Sequence, residues 1–306
     1  MNTLKLSNGV EIPHIGCGTY PIFGDQLTQT IKNAYHCGYR LIDTADNYYN
    51  EEDLGNSLEE LYSEIGNIRK ELFLVTKISD ELYRQDDITP GMNRGIYFWK
   101  NSPYMQSSSA CHDIVCKKVE DSLKYLKTDY IDLLLMHRPY PDFFEEIWYE
   151  MEQLYKKGKV RAIGLCNSYE RHLDKLIKSG SIVPMVNQIE TSPLNTKESL
   201  ISYYESKNVR TMVYSPLQSL KNIEEKKYQD YLDSLAFKYD KNKGQIILRY
   251  HIQRGLIPIP KSINPKRLAL NISVFDFSLT PNEISTLSGF NKNKQYLPES
   301  KGCPGF

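Results

Sequence analysis

The chain has 306 residues, with 38 basic and 38 acidic side chains and a formal net charge of zero. Such a balance gives no electrostatic reason to bind nucleic acid or an anionic membrane. Met1–Lys5 lacks the basic-then-apolar pattern of a secretion signal, and no apolar run reaches bilayer length. Cys17, Cys37, Cys111, Cys116, Cys166 and Cys303 have no framework spacing, so reduced thiols in the cytoplasm are expected.

Leu4-Lys5-Leu6 and Val10-Glu11-Ile12 alternate around Asn8-Gly9, which predicts a two-stranded hairpin with a primed turn. Apolar runs then end at Thr19, Asp43, Lys77, His137, Asn167, Glu190, Ser215 and Lys261 and read as strands. Amphipathic helices fall near 26–37, 51–64, 110–126, 143–157, 169–179, 196–207, 228–239 and 243–254. In the helix at 143–157, Phe143, Phe144, Ile147, Met151 and Leu154 share a face, and Gly158 stops it. Ile131–Met136 is almost continuously apolar, as strands covered on both faces are. Eight strand–helix pairs make a (β/α)8 TIM barrel, one domain over 1–306, with the hairpin closing its bottom.

One stretch is too long for that pattern. About thirty residues separate Lys77 from the next helix, where a βα connection takes about two to six. The insertion over 80–109, on the catalytic face after strand three, is either a lid or a disordered segment; Tyr83, Tyr97, Phe98, Trp99 and Tyr104 argue against plain disorder and for an ordered loop. Arg84 and Arg94 could add a carboxylate or phosphate contact there, or be solvated surface charges.

Chemistry concentrates at strand ends. An ammonium such as Lys77 at the end of a buried run is costly unless paired or used. Asp43 and His137 end two other strands, and Tyr48 follows Asp43 by five residues. In a parallel barrel the carboxyl ends of all strands face one cleft, so these four side chains should meet. Singly, each has an ordinary alternative: a helix cap for Asp43, a packing phenol for Tyr48, a rim salt bridge for Lys77, a hydrogen-bonded core imidazole for His137. Gly16-Cys17-Gly18 begins a dinucleotide glycine motif, but Pro21 occupies the third glycine position, so a dinucleotide must be held another way. Cys111, His112 and Cys116 are three ligand-type residues with no second pair, and no metal is expected.

Asp43-Thr44-Ala45-Asp46-Asn47-Tyr48 with Asn50-Glu51-Glu52, the lysine strand Leu72–Lys77, and the histidine strand Asp132–His137 with Pro139 are similar to motifs of the aldo-keto reductase family. Val186-Asn187-Gln188-Ile189-Glu190, Tyr214-Ser215-Pro216-Leu217, and Ile257–Ser262 with Arg267 and Asn271 continue the resemblance almost end to end. The resemblance implies reduction of small-molecule aldehydes or ketones by NADPH. Tyr48 would be the general acid, its phenol lowered by Lys77, which Asp43 holds as a cation; His137 would hold the carbonyl oxygen. Cys166, Asn167 and Gln188 would bind the nicotinamide carboxamide, and Tyr214 would stack on its ring. Gly18, Thr19 and Asp43 would approach the ribose, and Ser215 and Leu217 would cover the pyrophosphate. Lys261, Ser262 and Arg267 would grip the 2′-phosphate, and Asn271 the adenine.

Several positions depart from the family pattern. Cys166 stands where serine is usual, and Leu270 where a glutamate precedes the adenine-binding asparagine. Arg138 and Tyr20 replace frequent tryptophans and should shape the substrate pocket; Thr191-Ser192 replaces an aromatic–histidine pair. A monomer or weak homodimer is expected. Two other readings exist, a cofactor-binding sensor with slow or no turnover and an isomerase on the same barrel; the intact tetrad opposes the first and the cofactor residues the second.

Overall fold

The computed structural model describes residues 2–79, 108–139 and 143–297. Strand β1 (Thr3–Lys5) pairs antiparallel with β2 (Glu11–Pro13), Thr3 lying opposite Pro13. The connection differs from the expected primed turn. Leu6 N donates to Val10 O at 2.8 Å, and Gly9 takes a left-handed φ of +89° while Asn8 does not. A three-residue loop ending in a left-handed residue twists the strands suitably without requiring positive φ at Asn8. Asn8 instead donates its side-chain amide to Arg161 O at 2.9 Å, tying the hairpin to the barrel. Leu6 and Ile12 pack in one core cluster with Leu41, Phe73 and Leu133, residues at strand starts.

Eight parallel strands follow in chain order: β3 (Gly16–Gly18), β4 (Leu41–Asp43), β5 (Phe73–Ile78), β6 (Leu133–Met136), β7 (Ile163–Cys166), β8 (Val186–Glu190), β9 (Arg210–Tyr214) and β10 (Ile257–Ile259). Gly18 N donates to Pro260 O at 3.2 Å, bringing the last strand back to the first. The result is a (β/α)8 TIM barrel. The register sets Asp43 beside Val75, Lys77 beside Leu135, and Cys166 beside Gln188. Gly164 is required by close packing: a Cβ there would lie 2.5 Å from Val186 O.

The outer layer comprises α1 (Gly24–His36), α2 (Glu51–Ile65), α3 (Ser108–Tyr125), α4 (Phe144–Lys156), α5 (Glu170–Lys178), α6 (Glu198–Ser206), α7 (Lys226–Tyr239), α8 (Lys243–Gln253), α9 (Pro265–Ile272) and α10 (Pro281–Gly289). Helix α4 buries Phe144, Ile147, Trp148 and Met151, each contributing roughly 1.5–3 kcal/mol of hydrophobic stabilisation. Gly55 lets α2 approach α3, since a Cβ would sit 1.9 Å from Tyr125 O.

The strand–helix alternation departs from simple pairing in one place. Both α7 and α8 lie between β9 and β10, so the helix after the last strand is α9, and it and α10 lie beyond the eight expected helices. Each begins with a cap and a proline. Asn264 accepts from Arg267 N at 3.1 Å ahead of Pro265, and Thr280 accepts from Glu283 N at 3.3 Å ahead of Pro281. The expected loop over 80–109 lies outside the described residues as far as 107, together with its aromatics, Arg84 and Arg94. Residues 108 and 109 already belong to α3. Among the described residues no helix is long and apolar enough to cross a membrane.

Candidate active site

At the carboxyl end of β4 the chain enters a short 3-10 turn, Asp46–Tyr48. Asp46 fixes this turn from two sides. Its carboxylate accepts from Ser79 N, beyond β5, and from Lys118 Nζ of α3 at 2.6 Å. Asn50 fixes the neighbouring loop, donating to Thr19 O and Ile22 O and accepting from Thr44 Oγ1 at 2.7 Å. Tyr48 is thereby held over the strand that carries Lys77.

Lys77 is 1% exposed. Its Nζ donates to Asp43 Oδ1 at 2.7 Å, Thr44 O at 2.7 Å and Tyr48 Oη at 3.2 Å. Three acceptors match the three hydrogens of an ammonium. Asp43 Oδ2 accepts from Gln188 Nε2 at 2.8 Å, so both carboxylate oxygens are bound. The Tyr48 ring lies between those of Tyr20, 4.9 Å away, and His137, 5.8 Å away and near-perpendicular. His137 O accepts from Asn167 Nδ2 at 3.3 Å, and Asn167 Oδ1 accepts from Tyr214 Oη at 2.7 Å.

Burial opposes the Lys77 charge, but Asp43 and the acidic groups of Tyr48 and Cys166 hold its pKa above the ordinary lysine value. The residue is a fixed cation. Tyr48 departs from expectation: burial pushes its phenol up to about 12, and Lys77 pulls it down only in part. The expectation of a net lowered phenol is therefore not met, because desolvating a phenolate outweighs one nearby ammonium. Burial, Lys77, Arg138 and Lys118 all push the His137 pKa well below its ordinary value, leaving a neutral imidazole. Its Nδ1 is buried without a hydrogen-bond partner among the described residues.

The barrel thus gathers Asp43, Tyr48, Lys77 and His137 with Tyr20, Arg138, Cys166, Asn167, Gln188 and Tyr214. Gln188, expected at the nicotinamide carboxamide, also donates its amide nitrogen to Asp43. Thr19 N and Oγ1 donate to Asp43 O at 3.1 and 3.0 Å, joining the first loop to this cluster. Ser215 takes a left-handed φ of +49°, and Gln218 N donates to its carbonyl, shaping the turn through Leu217. Lys261, Ser262, Arg267 and Asn271 gather instead at the start of α9 and along it. The exposed Lys261 and Arg267 form no ion pair among the described residues, while Ser262 and Asn271 are buried. Gly18 links the two regions, since a Cβ on it would lie 3.7 Å from Lys261 Cβ.

Supporting residues went unassigned from sequence alone. Lys118 and Ser122 carry no motif, while Asn50, Glu51 and Thr76 sit inside quoted ones. Glu51 Oε1 accepts from Thr76 Oγ1 at 2.6 Å and Oε2 from Ser122 Oγ at 3.0 Å, packing α2 and α3 behind the lysine strand.

The Aldo/keto reductase family model matches residues 14–292. Glyoxal reductase of Bacillus subtilis is 34% identical over 298 residues, covering 97% of this chain and 95% of that protein. Methylglyoxal reductase DkgA of Escherichia coli is 33% identical, covering 97% and 96%. The crystal structure of Bombyx mori aldo-keto reductase AKR2E4 in complex with NADP is 34% identical and superposes with a TM-score of 0.80, covering 96% of this chain and 94% of that one. The chain belongs to the aldo/keto reductase family.

Proposed function

We propose that this protein is an NADPH-dependent carbonyl reductase that converts small aldehydes or ketones to alcohols. The observation that carries the reading is the buried Lys77 ammonium, shared between Asp43 and Tyr48 with neutral His137 alongside. NADPH, when bound, supplies the hydride. As negative charge grows on the carbonyl oxygen, Tyr48 Oη donates its proton to it, and Lys77 stabilises the phenolate left behind. Asp43 positions Lys77 and keeps it charged, Gln188 positions Asp43, and His137 offers one N–H to the same oxygen.

The residues fit the cofactor. Lys261 and Arg267 are cations without acidic partners among the described residues, beside Ser262, which suits a phosphate. Asn271 would take the adenine, and Asn167, Gln188 and Cys166 the carboxamide, against the ring of Tyr214. Gly18 and Thr19 would line the ribose, and Ser215 and Leu217 the pyrophosphate. Leu270, 44% exposed, removes the carboxylate that family members place before the asparagine, and the Cys166 thiol is a weaker donor than serine. Tyr20 and Arg138 border the substrate. The names of the relatives make glyoxal and methylglyoxal the first substrates to try.

The test follows NADPH oxidation with glyoxal, methylglyoxal and a simple aldehyde. Tyr48→Phe should lower turnover by at least ~10² while retaining NADPH binding, measured by fluorescence. Near-wild-type turnover of the variant, in a step limited by chemistry, would remove Tyr48 from the role. A monomeric or weakly dimeric state and a cytoplasmic location belong to the same proposal. All four reacting groups come from one chain, and light scattering checks the first point.

A further inference from the structure

The fold regroups the three ligand-type residues at the start of α3. Cys111 turns into the core, fully buried among residues such as Val115. His112 and Cys116 are one helical turn apart and share the other face. Helix α4 brings Glu150 to them. His112 Nδ1 lies 2.7 Å from Glu150 Oε2, and Cys116 Sγ lies 4.0 Å from Nδ1 and 3.8 Å from Nε2. One ligand atom from each residue lies within 4.8 Å of the others. The imidazole is 50% exposed and the Glu150 side chain 11%, so an ion could enter from solvent onto a buried carboxylate.

We propose that His112, Cys116 and Glu150 form a three-ligand site for a borderline-soft divalent transition ion such as Zn2+, completed by water and joining α3 to α4. Nitrogen, sulfur and oxygen donors together suit that class of ion. Bonds of ~2.0–2.3 Å in a tetrahedron set neighbouring ligands roughly 3.3–3.7 Å apart. Nδ1 and Oε2 must therefore separate by about half an ångström, while Sγ closes by about half an ångström on Nδ1 and by up to about an ångström on the Glu150 carboxylate. On binding, the thiol proton leaves to buffer as the sulfur–metal bond forms, and Nδ1 binds as the unprotonated nitrogen of a neutral imidazole whose ring proton sits on Nε2.

The experiment titrates tag-free, chelator-treated protein with Co2+ and then displaces it with Zn2+. Wild type should take up one Co2+ per chain, with a thiolate-to-cobalt charge-transfer band in the near ultraviolet and tetrahedral bands in the visible. Cys116→Ser should lose the charge-transfer band. It and His112→Gln should each weaken binding by at least about tenfold, whereas Cys37→Ser should change neither spectrum nor affinity. All three variants should keep wild-type NADPH-dependent turnover, which also shows that they fold. Equal spectra and affinities for wild type and Cys116→Ser would overturn the site. So would the absence of Co2+ binding to wild type. Either result would leave an ordinary His112–Glu150 hydrogen bond beside a thiol.

Discussion

Replacing Lys77 by methionine separates what this residue does for stability from what it does for turnover. Methionine preserves most of the side-chain length but removes three hydrogen bonds, to Asp43 Oδ1, Thr44 O and Tyr48 Oη. Asp43, 4% exposed, would keep Gln188 as the side-chain partner of its carboxylate. Removing one partner of a buried ion pair costs about 3–5 kcal/mol, because the remaining charge stays desolvated. Urea unfolding of Lys77→Met should show a loss of that order. The double variant Lys77→Met/Asp43→Asn removes the orphaned charge and should recover at least about half of it. Turnover should not recover. Both variants should remain at least ~10² below wild type in NADPH-dependent reduction, since neither holds a cation beside the Tyr48 phenol. Recovery of turnover together with stability would refute the catalytic role assigned to the ammonium. A stability loss under about 1 kcal/mol in the single variant would refute the desolvated pair.

Three further outcomes follow from charge and burial. A Tyr48 phenol pushed up to about 12 and a His137 imidazole held neutral leave both in their reductive forms from about pH 6 to about pH 9. The chemical step of reduction should be level across that range; a limb near 6.5 that disappears in His137→Gln would show instead that the imidazole titrates. Arg267→Ala should weaken NADPH binding by about tenfold or more and leave NADH nearly unchanged, because charge-assisted bonds are worth roughly 1.5–3 kcal/mol; equal losses would point to a general defect. Burial, with Asp46 adding to it and Thr76, Ser122 and Lys118 opposing, raises Glu51 from 4.5 to about 7. The folded state then holds a proton that the unfolded chain has released, so this contribution is full below about 4.5 and is lost as pH rises through about 7. At ~1.36 kcal/mol per pH unit it amounts to roughly 3 kcal/mol. Glu51→Gln should remove that slope from unfolding measurements, and an unchanged slope would exclude the raised carboxyl.

What could be read from sequence and what could not divide along a physical line. Asp43, Lys77 and His137 were legible because each places a polar group at the end of an apolar run, and strand ends in a parallel barrel share one cleft. The caps of α9 and α10 were equally local, and Asn264-Pro265 and Thr280-Pro281-Asn282-Glu283 would have revealed both helices. The hairpin loop was harder, since Asn-Gly serves a two-residue primed turn as well as a three-residue loop, and strand register decides between them. The supports of the site are non-local. Gln188 reaches Asp43 across 145 residues, Lys118 reaches Asp46 across 72 and Ser122 reaches Glu51 across 71. No periodicity encodes such pairs: Gln188 and Asp43 meet because β8 and β4 belong to one barrel, and the other two depend on how α2 and α3 pack over the strands. The Tyr48 phenol shows the same limit in energetic form. Sequence supplies its cationic neighbour but not the degree of burial, and burial dominates here. The family motif therefore identifies which groups meet, while the packing behind it determines the protonation state in which they meet.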